Sequence, residues 1–271
     1  PYVQVLGIAQ DGGYPQAGCQ RPDCIAAWND PSLRRRVASL AIVDPASGQR
    51  WIIDATPDFP AQLHDIGGSL SGIFLTHAHI GHYAGLVHLG REVMGARAVP
   101  VYAMPRMRSF LERNGPWDQL VRLGNIELRP VEDGVRLNER IRVTPVVVPH
   151  RDEYSETVGL IVEGPSRSVL WLPDIDKWEK WSTRIETVTE QVDVAYVDGT
   201  FFDETELPGR DLSEIPHPTI RETMDRLSSH ASKVRFMHLN QSNPALREGE
   251  ALREIRSRGF AVAEEGERFP L

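Results

Sequence analysis

Cysteine is nearly absent from this sequence, which has only two in 271 residues, Cys19 and Cys24. Two thiols cannot build the disulfide framework on which small secreted domains depend, so that class of protein is excluded. We expect both cysteines to be free thiols in a loop. A single local disulfide and half of a small zinc site, completed by two ligands from elsewhere, remain open as alternatives.

Long apolar segments and excess positive charge are also lacking. No stretch approaches the roughly 20 apolar residues of a membrane span, and no basic segment followed by an apolar one opens the chain as in a signal peptide. The net charge of -8 and the pI near 5.6 disfavour nucleic acid as a partner. We expect a small-molecule substrate, no nucleic-acid or membrane partner, and a monomer or homodimer. The expected location is cytoplasmic, and the start at Pro1 leaves a periplasmic or secreted location open.

The length suits one large α/β domain, and no Pro-, Gly- or Ser-rich linker divides the chain, so we expect a single domain over residues 1–271. Short β-branched runs alternate with amphipathic segments, which predicts sheets that carry helices on their outer faces. The predicted strands are residues 2–8, 38–43, 50–54, 72–75, 100–103, 141–148, 157–162, 169–172, 192–197 and 234–237. The predicted helices are residues 57–64, 82–93, 105–114, 177–190, 218–228 and 244–258.

Three histidines lie within six residues directly after an apolar run. They are His77, His79 and His82. Neutral imidazole is the commonest metal ligand in proteins, and core packing does not account for so close a cluster. The cluster therefore predicts a metal site.

Four more apolar runs end in a residue that can bind metal. These residues are His150, Asp174, Asp198 and His238. Because open sheets collect functional groups at strand ends, we expect such side chains to converge on one crevice. Three neutral imidazoles leave bound zinc an open position for water, and the ion lowers the pKa of that water to about 7. We expect Asp198 mainly to brace the ligand loops.

The ligand pattern resembles that of the metallo-β-lactamase superfamily, whose signature is His-x-His-x-Asp-His followed by distant His, Asp and His ligands. The resemblance implies an α/β fold, a four-layer αββα sandwich with metal at one edge. It assigns the first metal to His77, His79 and His150 and the second to His82 and His238, with Asp174 as the bridging carboxylate.

A closer resemblance is to the pyrroloquinoline-quinone biosynthesis protein B group, and it spans almost the whole chain. It rests on residues 3–7, 12–16, 54–58, 198–202 and 238–244. The cyclic phosphodiesterases of phosphonate metabolism are similar too, and they imply that His217 contacts substrate or acts as a general acid. A surface position beside a helix start is the alternative for His217. In that branch a cysteine cluster and a histidine hold a structural zinc, but here the histidine is replaced by Gln241.

Gly81 stands where the superfamily places an aspartate that binds the second metal. Either the site holds one ion or a weakly bound second one, or two ions bind and water or a nearby carboxylate, Asp11 or Asp58, fills the gap. We favour two ions because the other ligands are all present.

The resulting hypothesis is a metal-dependent hydrolase that uses metal-bound hydroxide on a small ester-like substrate, a phosphodiester or a lactone. Asp174 would position the nucleophile and His217 would protonate the leaving oxygen. The cofactor would be one or two divalent ions, zinc first, with iron or manganese as alternatives. The competing hypotheses are an iron-dependent oxidative enzyme of quinone-cofactor biosynthesis and a non-catalytic metal-binding relative.

Overall fold

The structure is a computed structural model that describes residues 1–211 and 214–271. Within these residues the chain forms two seven-stranded β-sheets. The strands are β1 (Tyr2–Gly7), β2 (Ser39–Asp44), β3 (Gln49–Ile53), β4 (Gly72–Phe74), β5 (Val99–Ala103), β6 (Ile126–Pro130), β7 (Val135–Arg136), β8 (Arg142–Val148), β9 (Thr157–Glu163), β10 (Ser168–Leu172), β11 (Val194–Asp198), β12 (Val234–Met237), β13 (Ala261–Val262) and β14 (Arg268–Pro270).

Short helices connect the strands, and several begin with proline in the first turn, where its missing N–H costs nothing. The α-helices are α1 (Pro22–Asn29), α2 (Phe59–Asp65), α3 (Ile80–Tyr83), α4 (Pro105–Arg113), α5 (Trp117–Arg122), α6 (Ile185–Gln191), α7 (Ile220–Arg226) and α8 (Glu250–Ser257). Across the described part of the chain, none of the helices combines the length and apolar character needed to cross a bilayer.

The strand order is β14-β1-β2-β3-β4-β5-β6 in the first sheet and β13-β12-β11-β10-β9-β8-β7 in the second. Strands β3 to β6 run parallel to one another, as do β10 to β13. Two successive antiparallel pairings give β1 the direction of β3, and two more give β8 the direction of β10. Each of these strands therefore ends at the same edge of its sheet as its parallel neighbours.

Alternating side chains divide the apolar residues into two cores, as the period of two in a strand requires. In β2, Leu40 and Ile42 enter the larger core, which also contains residues of the second sheet. Ala41 and Val43 point the other way and pack in the smaller core with residues of α2, α4 and α5. Residues of α6, α7 and α8 belong to the larger core. The predicted four-layer αββα sandwich is confirmed.

All ten predicted strands are present with ends within two residues of the prediction, but three predicted helices are wrong in part. The first, over residues 82–93, is replaced by α3 and a 3-10 helix, Ala84–Leu89. Gly85 explains the change because its N–H donates to the Ala55 carbonyl at 2.8 Å. A Cβ at Gly85 would meet the Thr56 carbonyl oxygen at 2.2 Å. This close contact fixes the segment against the turn after β3.

The other two begin as 3-10 turns, Trp178–Lys180 and Pro244–Leu246, and become α-helical only at Ile185 and Glu250. The indole of Trp181 donates to the Val147 carbonyl at 2.9 Å, which holds the chain extended between the turn and α6. Two helices and four strands went unpredicted. These are α1, α5, β6, β7, β13 and β14.

The expectation of two free thiols was wrong, since Cys19 and Cys24 form a disulfide with their Cα atoms 6.0 Å apart. Cys24 Sγ lies 3.7 Å from Gln241 Oε1, so the disulfide-bonded segment contacts the loop after β12 at this point. Because both sulfurs are bonded to each other, neither is a thiolate ligand for a structural zinc.

Candidate metal centre

Seven predicted site residues come together where strands of the two sheets end. The first sheet contributes His77 and His79 after β4 and His82 on α3. The second contributes the other four, which are His150 after β8, Asp174 after β10, His217 before α7 and His238 after β12. This convergence follows from the strand directions, because β8, β10 and β12 all end at one edge of the second sheet.

One group of donors consists of His77, His79, His150 and Asp174, whose ligand atoms lie within 4.8 Å of one another. Asp174 Oδ2 is 3.7 Å from His77 Nε2, and Asp174 Oδ1 is 3.4 Å from His150 Nε2. His79 lies at the open side, where its Nε2 is 3.5 Å from Glu153 Oε2 on the surface.

A second group contains His82 and His238 and includes a carboxylate that the ligand pattern did not assign, Asp11. Asp11 Oδ1 lies 3.1 Å from His82 Nε2 and 3.4 Å from His238 Nε2. Asp174 Oδ2 lies 3.2 and 3.3 Å from the same two nitrogens. Asp174 therefore stands between the two groups, as expected of a bridging carboxylate.

Several buried polar atoms of this cluster have no hydrogen-bond partner among the described residues. Within residues 1–211 and 214–271, six buried ligand-type atoms here have no hydrogen-bond partner: Nε2 of His77, His79 and His82, both ring nitrogens of His150, and Asp174 Oδ2. Leaving such groups buried and unpaired costs about 1–3 kcal/mol each, so an arrangement of this kind calls for an ion or another ligand. Imidazole nitrogens with carboxylate oxygens are a donor set that fits a divalent metal such as zinc.

The pKa values of three members of the first donor group fit this use. Burial lowers the pKa of His150 to about 4 and holds the pKa of His77 well below its ordinary value. Both imidazoles are therefore neutral at physiological pH, the form that binds metal. Burial raises the pKa of the Asp174 carboxyl, but the surrounding histidines, led by His238 and His77, outweigh burial and keep it well below normal.

His82 is oriented by a buried carboxylate at the end of β3. Asp54 Oδ2 lies 2.7 Å from His82 Nδ1, and Asp54 Oδ1 accepts from the Thr76 N–H at 2.9 Å. The Thr76 hydroxyl also lies 3.0 Å from His77 Nδ1. A partner on Nδ1 sets the tautomer and turns Nε2 toward the ligand position.

A matching arrangement holds His217 at the second sheet. Asp198 Oδ2 lies 2.7 Å from His217 Nδ1, and the Thr200 hydroxyl donates to Asp198 Oδ1 at 2.7 Å. Burial lowers the pKa of His217, but the Asp198 carboxylate outweighs burial and raises it above its ordinary value. The surface position considered for His217 is wrong, since the residue is only 6% exposed. Its Nδ1 is 3.8 Å from Asp174 Oδ1.

One functional contact was not predicted from the sequence, and one functional residue was predicted only as one of two alternatives. The expected loop-bracing role of Asp198 is confirmed by its contacts with the N–H groups of Ile175 and Thr200, but its pairing with His217 was not foreseen. Asp11 was considered only as one of two substitutes for Gly81, and the other, Asp58, instead accepts from the Val37 N–H at 2.8 Å. Asp11 could have been identified by the criterion that identified the other ligands, a polar residue just after an apolar strand.

Comparison with known proteins gives one family and a consistent set of relatives. A model of the beta-lactamase superfamily domain matches residues 49–238. Coenzyme PQQ synthesis protein B of Ruegeria pomeroyi is 27% identical over an alignment of 301 residues, which covers 97% of this chain and 98% of that protein.

Two solved structures share the fold. Zn(2+)-bound PqqB from Methylobacterium extorquens is 22% identical, with a TM-score of 0.82 and full coverage of both chains. A diphosphatase from the PhnP family is 23% identical, with a TM-score of 0.73, and the match covers 99% of this chain and 96% of that one.

Proposed function

We propose that this chain, which belongs to the beta-lactamase superfamily, is a metal-dependent hydrolase. Its proposed substrate is a small ester-like molecule, a phosphodiester or a lactone. The observation that carries the proposal is the pair of donor groups that share Asp174, with His217 beside them. In this arrangement two ions can sit close together in one pocket with a buried proton donor at hand.

The proposed first site consists of His77, His79, His150 and Asp174, and the second of His82, His238 and the shared Asp174. We take zinc as the first expectation because a solved relative of the same fold is described as Zn(2+)-bound. Divalent ions held in this way would lower the pKa of a bound water to about 7 and would polarise the substrate oxygen as Lewis acids.

The chain's own residues supply orientation and protons. Asp174, which only accepts hydrogen bonds when ionised, orients the attacking water between the two groups. His217 keeps a proton at neutral pH because of Asp198, and Nδ1 is engaged with that carboxylate. Its Nε2 is therefore the atom that donates a proton to the leaving oxygen.

A second candidate is an iron-dependent oxidative enzyme of quinone-cofactor biosynthesis, using the same pocket with a redox-active ion. It is favoured by the likeness over nearly the whole chain to proteins named for coenzyme PQQ synthesis. A third, a non-catalytic metal-binding relative, is disfavoured by the complete first donor group.

Metal identity separates these candidates. The protein would be stripped of metal, reloaded with zinc, manganese or iron(II), and assayed with bis(p-nitrophenyl) phosphate and a panel of lactones, with and without oxygen. Hydrolysis with zinc or manganese that does not depend on oxygen supports the proposal. Oxygen consumption that needs iron, with no hydrolysis under any metal, overturns it.

A test variant and a matched control, each lacking one carboxylate, show whether the hydrolysis comes from this site. Asp174→Asn should abolish hydrolysis, whereas Asp225→Asn, on the exposed side of α7, should leave it unchanged. Equal activity in both variants would mean that the measured hydrolysis does not come from this site.

A further inference from the structure

We propose that Asp11 is the carboxylate ligand of the second metal, transposed from position 81 to the loop that follows β1. The inference rests on the two-ion part of the proposed function and extends it to a residue of the N-terminal segment. It does not depend on which reaction the ions serve.

The second site needs a further ligand because Gly81, one residue before His82, offers no side chain. Without another ligand, the second site would hold its ion with two imidazoles and one shared carboxylate. Asp11 supplies the missing charge, since its Oδ1 is 3.1 Å from His82 Nε2 and 3.4 Å from His238 Nε2. These three residues form a donor group of their own.

The space at Gly81 shows why the two positions exclude each other. A Cβ built on Gly81 would lie 2.5 Å from Asp11 Oδ1, 2.7 Å from its Cβ and 2.6 Å from its Cα. The last contact is with backbone, so rotation of the Asp11 side chain does not relieve it. Any side chain at position 81 therefore needs the room that Asp11 occupies, and glycine there is a consequence of the transposed carboxylate.

The loop that carries Asp11 is tied to the ligand loop of the other sheet. The Gln10 N–H donates to the Leu239 carbonyl at 2.9 Å, and the Leu239 N–H donates to the Ile8 carbonyl at 2.8 Å. These bonds flank Asp11 on one side and His238 on the other, so the two ligands are held in register by main chain. Main-chain hydrogen bonds, rather than a helix, therefore hold Asp11 in position to bind metal.

The test removes the Asp11 carboxylate and measures zinc binding. Zinc stoichiometry and affinity would be measured by competition with a chromophoric chelator, and ligand geometry by the visible absorption of the cobalt(II) form. We expect the wild-type protein to bind two ions. Asp11→Asn should bind one tightly, with the second at least about tenfold weaker, because even indirect partners of a metal contribute 10–100-fold.

Gly81→Asp should disrupt the second site through the clash with Asp11. Asp58→Asn is the matched control, and should bind two ions with unchanged affinity because its partner is the Val37 N–H. Thermal unfolding of each variant establishes that it is folded.

Two results would overturn the proposal: a wild-type protein with no second ion, or a folded Asp11→Asn variant that binds two ions at wild-type affinity. Two bound ions that depend on Asp11, without hydrolysis of any tested ester, would support the ligand assignment and count against the hydrolase function alone.

Discussion

Asp54 is fully buried directly after β3, and its two oxygens accept from His82 and from both the N–H and the hydroxyl of Thr76. Oδ1 accepts from the Thr76 N–H at 2.9 Å, and Oδ2 lies 2.7 Å from His82 Nδ1. Because a carboxylate only accepts, neutral His82 must carry its proton on Nδ1, and Nε2 is left free to bind metal. The tautomer of His82, and with it the second site, therefore depends on Asp54.

Asp54→Asn tests this dependence with almost no change of shape. The backbone φ of 66° at position 54 is one that asparagine tolerates. The amide has a single acceptor where two are needed, so whichever way it is turned, one buried donor loses its partner. That costs about 1–3 kcal/mol of unfolding free energy. His82 escapes the cost only by giving up its Nδ1 proton, and a neutral His82 then carries its proton on Nε2, which cannot bind metal.

We therefore expect Asp54→Asn to destabilise the metal-free protein by about 1–3 kcal/mol and to weaken the second zinc site at least about tenfold. Urea unfolding measures the first quantity and chelator competition the second. Asp44→Asn is the control, because Asp44 is also a buried strand-end carboxylate but lies at the opposite end of its strand pair and contacts Arg140. Unchanged second-site affinity in Asp54→Asn would refute the tautomer argument.

Two further predictions concern the first site and the proton donor. His77→Ala should remove most of the bound metal seen by elemental analysis, whereas His64→Ala, an exposed histidine on α2, should remove none; equal metal content in the two would contradict the ligand assignment. For His217 as general acid, kcat/KM falls as pH rises through its pKa, which Asp198 raises against the opposing effect of burial. Asp198→Asn should therefore move the alkaline limb of the kcat/KM profile to lower pH, and His217→Gln should remove that limb; an unmoved limb in both would exclude this role.

The strands could be predicted because each is set by a short apolar run of its own. β10 and β12 are examples, since their burial follows directly from Val, Leu, Trp, Phe and Met in sequence. The helices over residues 82–93 and 177–190 could not, because contacts with distant residues decide them. Gly85 packs against the turn after β3, and the Trp181 indole is held by Val147. Neither contact can be predicted from the residues that are close in sequence.

The ligands were accessible for the same reason as the strands, since most of them directly follow one. Two of the carboxylates that contact these histidines were harder to find. Asp198 meets His217 across 19 residues and Asp11 meets His238 across 227, so only the fold brings each pair together. The disulfide was missed because a separation of five residues is equally compatible with free thiols.

The charge of the pocket bears on how many ions it holds. Four aspartates, two from each sheet, contact its histidines: Asp11, Asp54, Asp174 and Asp198. Without metal, protons offset part of this charge, and the pKa values of His82 and His217 are raised accordingly, against the opposing effect of burial. Metal displaces protons from its ligands, and two divalent ions carry four positive charges, equal to the four carboxylates. The proton that His217 keeps adds a fifth positive charge, which suits an anionic substrate such as a phosphodiester. One ion with that proton would leave a net negative charge in the pocket, which would repel such a substrate. For an anionic substrate the electrostatics of the pocket therefore favour two ions, and Asp11 supplies one of the four carboxylates that two ions require.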